Sequence, residues 1–262
     1  MPFAKFEPDS DEEGFINKIK DDYFDDTSRL VFADFLEERG DPRGPYMRQQ
    51  VEMAKLESDE KARRHRAPST LTPKPYLDKS IELSHKMSYL HSQYGGQWFG
   101  PLWANAANGR AGHRFIRGLL RIVGSPQSFS FEPQQKALAW ADSVQVDHDA
   151  GGMAALEKLF DRNQICCLAF GSWTGMMTTM RLRFLRWLHR KSRRLPSRVV
   201  AIELGHGVNP EIFNLIATLP DHVLEQVKYI QAGPDWNQQA EADACGSALA
   251  LREWPGRFDG HP

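Results

Sequence analysis

The stretch from Asp25 to Gly44, DDTSRLVFADFLEERGDPRG, constrains the fold most, because a helix, its end and the following turn are all recognisable in it. Asp26 or Thr27 is placed to cap the helix by accepting hydrogen bonds from its first N–H groups. Gly40 follows the last turn, where a left-handed residue closes a helix, and Asp41-Pro42-Arg43-Gly44 predicts a tight turn. Near-helical spacing predicts a buried face made of Leu30, Val31, Ala33, Phe35 and Leu36.

Two further helices are predicted around this one. Ser10-Asp-Glu-Glu13 has the spacing of a capping box, in which the first and last side chains bond each other's backbone N–H groups. The apolar residues of the helix that follows are Phe15, Ile16 and Ile19. Pro45 suits the first turn of a third helix, whose apolar residues are Tyr46, Met47, Val51 and Leu56. These features predict a small helical domain over residues 1–56.

The character of the chain changes twice between residues 57 and 114. Residues 57–75, ESDEKARRHRAPSTLTPKP, are first charged and then rich in Pro, Ser and Thr, which predicts a linker or mobile loop. Residues 76–114 predict a helical connector, with a helix from Tyr76 to about His91. Its far end carries Trp98, Phe99 and Trp103 among glycines. Aromatic residues this close together commonly hold one element against another.

From about residue 115, short β-type runs alternate with helical patterns. The β-type runs are Leu119–Val123, Ser143–Val146, Ile165–Phe170, Val199–Leu204 and Val227–Ile230. The helical patterns are Gln134–Ala141, Met153–Phe160, Met176–Lys191 and Glu211–Thr218. This alternation predicts an α/β fold with a parallel sheet, and the strand spacing also suits a leucine-rich-repeat-like solenoid. The prediction is an irregular solenoid of this kind over 115–254 with a tail over 255–262, and an irregular α/β domain is the alternative.

Three segments carry a resemblance to a known family. They are residues 11–50 with LVFADFLEERGDPRG, then LHSQYGGQWFGPL, and then HRFIRGLL with its aromatic-x-Arg-Gly pattern. Together they resemble the repeat-companion domain of planctomycete-type bacteria, which often precedes leucine-rich-repeat-like sequence. The resemblance implies a helical unit leading into α/β repeats, and a role in protein–protein interaction or scaffolding with no catalytic residues. The residues of this structural motif are Asp34, Glu37, Arg39, Gly40, Asp41, Pro42, Arg43, Gly44, Trp98, Gly100 and Pro101.

The composition is that of an ordinary globular protein, with 26% charged and 41% hydrophobic residues. No apolar run approaches the ~20 residues that span a bilayer, and the acidic N-terminus has no apolar signal core. Cys166, Cys167 and Cys245 are too few for a disulfide framework. We therefore expect a cytoplasmic protein that has no membrane partner.

Basic residues are concentrated in one segment, although the net charge is only −1. No acidic residue lies between Arg162 and Ile202. In Thr179–Arg194, TMRLRFLRWLHRKSRR, apolar side chains share one arc of a helix and arginines share the opposite arc. The basic residues of the segment are Arg181, Arg183, Arg186, Arg190, Lys191, Arg193, Arg194 and Arg198. Three hypotheses follow: a solvated face, a docking surface for nucleic-acid phosphate, or a surface for an acidic protein partner.

Two other candidate sites are weaker. The polar set of Asp34, Glu37, Glu38, Asp41 and Arg43 is either a carboxylate site or a turn that Arg43 fixes by folding back onto Glu37, Asp34 or the carbonyls of the helix. The second interpretation is favoured, because ion pairs at helix ends are common and individually weak. The segment Glu203–Pro210, ELGHGVNP, lacks the third glycine of a dinucleotide fingerprint and the lysine of a phosphate-binding loop. It predicts a strand-to-helix turn.

No metal or cofactor is assigned. Asp147-His148-Asp149 and the pair Glu203/His206 offer metal ligands, but neither has partners at established zinc spacing. Neighbouring residues of a strand point to opposite faces. Cys166 and Cys167 are therefore predicted to lie one in the core and one near the surface.

The sequence predicts a non-catalytic protein–protein interaction module, acting as an adaptor or accessory subunit whose partners are other proteins. The first alternative is an accessory subunit that binds nucleic acid through the basic helix 181–198. The second alternative is an enzyme of unrecognised class with the Gly205–Pro210 loop in its site.

Overall fold

The computed structural model describes the following residues: 8–66, 72–99, 114–128, 139–147, 152–160, 165–171, 175–190, 195–204 and 210–231. Over these ranges the chain is mixed α/β, with eight helices and a six-stranded mixed sheet. It divides into two compact units. Unit 1 comprises residues 1–110, 114–120 and 254–262, and unit 2 comprises residues 111–113 and 121–253.

Unit 1 is mainly helical. Its helices are α1 Ser10–Asp21, α2 Thr27–Glu38, α3 Arg43–Arg66 and α4 Lys74–Phe99. Its β-structure is β1 Arg114–Ile116 and the first two residues of β2 Leu119–Gly124. Strand β1 was not among the predicted strands. The three predicted N-terminal helices are confirmed, with different details at their ends.

The capping residues of α1 and α2 differ from the prediction. The capping box of α1 is formed by Asp9 and Glu12, one residue earlier than predicted. Asp26 stands at the N-cap position of α2 but makes no side-chain cap bond. Instead Asp25 accepts a hydrogen bond from the backbone N–H of Thr27, at 3.0 Å. Asp26 pairs with Arg117. Its side chain therefore makes a tertiary contact and not the capping hydrogen bond that the local sequence predicted.

The buried face of α2 consists of Arg29, Phe32, Ala33 and Leu36, spaced i, i+3, i+4 and i+7. This is the spacing of a helix face turned to a core. Ala33 and Leu36 are confirmed as core residues, whereas Val31 is 49% exposed and its prediction is wrong. The prediction failed because the first residue of the buried face is Arg29. A search for apolar residues alone does not find a buried arginine.

Residues 57–66 are the last part of α3, so the predicted linker over 57–75 is wrong in this part. Glu60 pairs with Arg63 and Arg64, three and four residues further along. Side chains at these spacings lie next to each other on a helix. Charge density was taken as a sign of a linker, but here the charges are paired along a helix.

Helix α4 is longer than predicted and continues through Gly95 and Gly96 to Phe99. Trp98 near its end is 6% exposed. Its ring centroid lies 4.9 Å from that of Tyr46 and 5.8 Å from that of Phe115. The predicted packing role of this aromatic is confirmed for Trp98, while Gly100, Pro101 and Trp103 lie outside the described residues.

The sheet has the strand order β1-β2-β3-β4-β5-β6, and all five predicted strands are confirmed. The remaining strands are β3 Ala141–Val146, β4 Cys167–Phe170, β5 Ala201–Glu203 and β6 Tyr229–Gln231. Strands β3 to β6 are parallel. The helices of unit 2 are α5 Gly152–Phe160, α6 Gly175–Leu188, α7 Pro210–Ala217 and α8 Asp221–Gln226.

Three of the four predicted helices of this half are confirmed as α5, α6 and α7, while α8 was not predicted. Residues 134–138 of the predicted helix Gln134–Ala141 lie outside the described residues, and Ala141 is the first residue of β3. This arrangement is a mixed α/β fold with a six-stranded sheet, and it does not show a leucine-rich-repeat solenoid.

The strand register separates the sheet of unit 2 into an apolar and a polar face. Val144, Leu168, Ile202 and Ile230 lie side by side on the apolar face. Further along that face, Phe170 lies 5.1 Å from Phe184 of α6, between ring centroids. The other face carries Ser143, Cys167 and Glu203. The same register places these residues near each other on the neighbouring strands β3, β4 and β5.

We predict that Gly44→Ala destabilises unit 1 by about 2 kcal/mol, the usual size of an overpacking penalty. A Cβ atom at Gly44 would lie 2.7 Å from the carbonyl oxygen of Ala33 and 2.8 Å from the amide nitrogen of Glu37. Both are backbone atoms, so α2 or α3 must shift. Urea denaturation measures the change in free energy of unfolding.

The matched control is Gly14→Ala in α1, where a Cβ meets no atom within 4 Å. It is expected to stabilise the helix by ~0.5–1 kcal/mol, because alanine loses less backbone entropy than glycine. Equal effects of the two substitutions would contradict close packing at Gly44.

We also predict acid sensitivity at the end of α3. Hydrogen bonds from Arg63, and secondarily Arg64, lower the pKa of Glu60 from 4.5 to about 2. A carboxylate whose pKa is depressed in the folded state stabilises it above its unfolded pKa and loses that effect as pH falls through its folded pKa. The stabilisation should therefore disappear between about pH 4.5 and 2. An NMR titration of the Glu60 carboxyl should give a midpoint near 2, moving up in Arg63→Gln; a midpoint already at 4.5 in the unsubstituted chain would show that the pairs do not form.

Candidate functional site

The GDPRG segment is held by Arg43 at the start of α3. Its Nη2 donates to Oε1 of Glu12, at 2.7 Å, and to Oδ2 of Asp41, at 2.6 Å. Asp41 also accepts a hydrogen bond from the backbone N–H of Arg43, at 2.9 Å. Arg43 thus fixes the turn, as the favoured interpretation had it, but through Glu12 and Asp41 instead of Glu37 or Asp34.

Glu37 and Asp34 both pair with Arg48 of α3. These side chains are exposed, so the pairs contribute little to stability. Their contacts nevertheless link α2 to α3. Four of the five residues of the predicted polar set are therefore distributed over two groups of ion pairs, Asp41 with Arg43 and Asp34 and Glu37 with Arg48.

Arg39, which ends α2, reaches back to the start of α1. It donates to Asp9, at 2.8 Å, and to Asp11, at 3.2 Å. Hydrogen bonds from the backbone of Glu12 and from Arg39 lower the pKa of the Asp9 carboxyl. The guanidinium also lies 4.2 Å from the ring centroid of Phe35, a cation–π distance. Gly40 has φ +68°, the left-handed conformation expected of the residue that closes a helix.

The aromatic-x-Arg-Gly segment forms the turn between β1 and β2. Arg117 and Gly118 have φ of 49° and 91°, the positive values of a two-residue hairpin turn. Gln50 of α3 holds this turn with both ends of its amide. It donates to the carbonyl of Phe115, at 2.9 Å, and accepts from the N–H of Gly118, at 2.7 Å.

Arg117 is 1% exposed and donates to Asp26 and to the carbonyl of Phe24. Burial, and then the positive charge of Arg29, lower the pKa of the Arg117 guanidinium. The described residues of the motif thus serve the architecture of unit 1. They hold helices, a turn and a hairpin together.

A polar network occupies the polar face of the unit 2 sheet. Arg121 of β2 donates to both carboxylate oxygens of Glu203 on β5, at 2.6 and 2.8 Å. Its Nε donates to the hydroxyl of Ser143 on β3, at 3.2 Å. Arg121 is 2% exposed, and a bidentate pair is the geometry that best stabilises a buried guanidinium. Sequence reasoning missed Arg121, because it lies within the apolar run LLRIVG.

Cys166 and Cys167 are both fully buried, so the predicted surface position of one of them is wrong. The Sγ of Cys167 donates to Oε1 of Glu203, at 3.5 Å. Burial, and then the negative charge of Glu203, raise the pKa of the Cys167 thiol well above its usual value. A thiol that stays protonated is a poor nucleophile and metal ligand.

The basic segment is split between the interior and the surface. Its predicted apolar arc is confirmed: Met180, Phe184, Leu185, Trp187 and Leu188 are all buried. Arg181 differs from the prediction, because it is 2% exposed and donates to the carbonyl of Gly171, at 2.6 Å. Burial lowers the pKa of its guanidinium. Arg181 holds the segment after β4 to α6 and is not part of the outer surface.

Arg183, Arg186 and Arg190 are exposed, and Arg198 is half-buried. Arg186 forms an exposed ion pair with Glu211 of α7. Lys191, Arg193 and Arg194 lie outside the described residues. Three residues of the predicted basic face, Arg183, Arg186 and Arg190, are therefore exposed to solvent.

The predicted loop Gly205–Pro210 is described only at Pro210, the first residue of α7, and His206 lies outside the described residues with it. His148 and Asp149 lie outside them as well. Within the ranges that the structure describes, no three His, Cys, Asp or Glu side chains are grouped to hold a metal ion.

One surface was missed entirely by sequence reasoning. Leu77, Ile81 and Tyr89 of α4 are 44%, 53% and 66% exposed. They lie at i, i+4 and i+12, while Leu83 and Met87 on the other side of the helix are buried. The signal was the spacing itself, since Leu77 and Ile81 fall off the face defined by Leu83 and Met87. We call Leu77, Ile81 and Tyr89 the α4 stripe.

The chain matches no protein-family model, no curated protein and no solved structure. The resemblance to the repeat-companion family therefore stays a prediction that depends on its motifs. In the part of the chain that the structure describes, no helix has the length and apolar character needed to cross a membrane.

We predict that Glu203→Ala destabilises unit 2 by about 3 kcal/mol, because it leaves the Arg121 guanidinium buried without its carboxylate. Native-state hydrogen exchange of the β4 and β5 amides measures the loss. The matched control is Asp34→Ala, which removes one carboxylate from an exposed pair and should cost less than ~1 kcal/mol. If Glu203→Ala lowers the free energy of unfolding no more than Asp34→Ala does, the Arg121–Glu203 pair does not stabilise unit 2 as proposed.

Proposed function

We propose that this chain is a non-catalytic protein–protein interaction module, acting as an adaptor or accessory subunit of a larger assembly. The observation that carries the proposal is the α4 stripe. Exposed apolar side chains aligned on one helix commonly mark a contact surface for another molecule. The stripe is not needed for the core of unit 1, because α4 buries its opposite side.

The dimensions of the α4 stripe suit a partner helix. It extends over twelve residues, or about 18 Å along the helix axis, which is a little over three turns. The exposed polar residues Asp78, Glu82 and Lys86 lie on the same helix surface, and Glu82 pairs with Lys86. Protein interfaces combine apolar and polar side chains in this way. The occupant that we propose is an amphipathic helix of a different protein.

The architecture of unit 2 supports the same function. We propose that it is a degenerate leucine-rich-repeat-like α/β array. In support, β3 to β6 are parallel and follow one another in order, so each strand–helix pair is added beside the preceding one. Trp187 of α6 donates to Glu157 of α5, and His189, which follows α6, bonds the carbonyl of Leu215 in α7. Contact between successive helices is typical of repeat arrays, which serve mainly as binding scaffolds.

The compartment that we propose is the cytoplasm. Cys166 and Cys167 are free thiols, and proteins of reducing compartments keep their cysteines in this form. The repeat-companion resemblance and its expected role in scaffolding belong to the same proposal.

We predict that Leu77→Ser combined with Ile81→Ser and Tyr89→Ser releases the chain from its assembly. Loss of three exposed apolar contacts weakens a protein interface while leaving the core of unit 1 intact. In host extract, size-exclusion chromatography with immunodetection should place the wild type well above its own mass of 29.9 kDa. The triple variant should move to the monomer position.

The matched control is Val31→Ser, which removes another exposed apolar side chain, 49% exposed, from unit 1 outside the α4 stripe. It should leave the elution position unchanged. Light scattering of the purified chain should give a monomer, which separates a foreign partner from self-association. A wild type that elutes as a monomer in extract would overturn the proposal.

A further inference from the structure

The orientation of α6 in unit 2 is determined by its apolar side. Phe184 packs against Phe170 of the sheet, and Met180, Leu185 and Leu188 are at most 2% exposed. Because these side chains face inward, the opposite side of the helix faces solvent. Arg183 and Arg186 occupy that side, and Arg190 follows two residues after the helix end. The three exposed arginines, Arg183, Arg186 and Arg190, form what we call the α6 basic face.

We propose that the α6 basic face is a docking surface for the phosphate backbone of duplex DNA. This inference concerns unit 2 and does not depend on the α4 stripe of unit 1. Arg183 and Arg186 lie three residues apart on one side of α6, and Arg190 follows four residues further on, just beyond the end of the helix. At the rise of a helix the three positions span about 10 Å. Duplex DNA carries one phosphate charge per ~1.7 Å of its axis, so this length of helix faces several phosphates at once.

The segment that carries the α6 basic face has no carboxylate of its own. No acidic residue occurs in the sequence between Arg162 and Ile202, which contains nine basic residues. Among the described side chains, Glu211 pairs with Arg186 at the surface, where the side chains are 49% and 59% exposed. Such an exposed pair is weak and exchangeable, so a phosphate can replace Glu211.

The chemistry of this surface favours a nucleic acid over a protein. Interfaces between proteins depend on apolar and aromatic side chains at their centre. The large hydrophobic side chains exposed in the described residues are Val31, Leu77, Ile81 and Tyr89, all of which belong to unit 1. The described surface of unit 2 thus offers guanidinium groups without apolar anchors. Phosphate recognition requires charge and planar guanidinium donors alone.

Arg181 and Arg198 belong to the same basic segment but not to the α6 basic face. Arg181 is buried against Gly171 and has a structural role. Arg198 is half-buried in the turn before β5 and is left out of the α6 basic face. The test therefore concerns the three exposed arginines and not every basic residue of the segment.

The test is fluorescence anisotropy with a labelled 20-base-pair DNA duplex of mixed sequence, and with single-stranded RNA of the same length, across 50–200 mM salt (about the range where backbone contacts dominate). For the duplex, the logarithm of the binding constant should fall with the logarithm of salt, by about 0.9 per phosphate neutralised. Arg183→Gln combined with Arg186→Gln and Arg190→Gln should weaken binding more than tenfold at the lowest salt. It should also reduce the slope by about 2 to 3.

Two control variants make the result specific. Lys18→Gln combined with Lys55→Gln and Lys74→Gln removes the same charge from exposed positions of unit 1 and should leave the affinity within twofold. Replacing the three arginines by lysine keeps the charge and should retain the salt slope. This second variant, together with the salt slope of the wild type, keeps the test decisive if the glutamine variant folds poorly.

The outcomes that overturn the proposal are distinct. Absence of binding at the lowest salt would overturn it directly, as would equal loss in the lysine control of unit 1. Poly-glutamate that competes as well as DNA at equal charge would assign the surface to an acidic protein. Single-stranded RNA that binds more tightly than the duplex at equal salt would overturn the duplex as the occupant. None of these results bears on the α4 stripe, which is tested by assembly mass.

Discussion

Burial of guanidinium groups is the constraint on which this structure depends. Among the described residues, the largest fully buried side chains are four arginines, namely Arg29, Arg117, Arg121 and Arg181. Burying a charge is costly unless the charge is paired and hydrogen-bonded. Each of these arginines is accordingly found where two segments of the chain meet. Arg29 donates to the carbonyl of Tyr23 between α1 and α2, at 2.9 Å, and Arg117 bonds Asp26 from the hairpin turn.

The other two arginines have the same role in unit 2. Arg121 links β2 to β5 through Glu203, and Arg181 links α6 to the end of β4 through the carbonyl of Gly171. Because a guanidinium left without its oxygen partner costs several kcal/mol, on the order of 3–5 for a broken buried pair, these contacts permit few alternative arrangements of their segments. They specify how these segments are put together. The two surfaces of the described residues for which we propose a function are the α4 stripe, which is apolar, and the α6 basic face, which is charged.

Local patterns predicted much of this fold because their causes are local. Helix α2 begins and ends where its flanking residues predicted, since Gly40 supplies the left-handed residue that closes it. All five predicted strands are present because short β-branched and apolar runs bounded by turns have few other solutions. The predictions failed where the same residue type occurs in two kinds of structure, as charged residues do in linkers and in ion pairs along a helix. The charged run over 57–66 was interpreted as a linker, yet Glu60 and Arg63 stabilise a helix by lying three residues apart.

The order of the elements, the apolar arc of α6 and the concentration of arginine around it follow from the order of the residues in the chain. Which charged residues are buried depends on how the elements pack. Arg181 and Arg183 are two residues apart and chemically identical, yet one is buried against Gly171 and the other is exposed. The reason is physical: periodicity is set by the backbone of a single element, whereas burial depends on neighbours brought from distant parts of the chain. For the same reason the α4 stripe became visible only once the rest of unit 1 had covered Leu83 and Met87 and left Leu77, Ile81 and Tyr89 exposed.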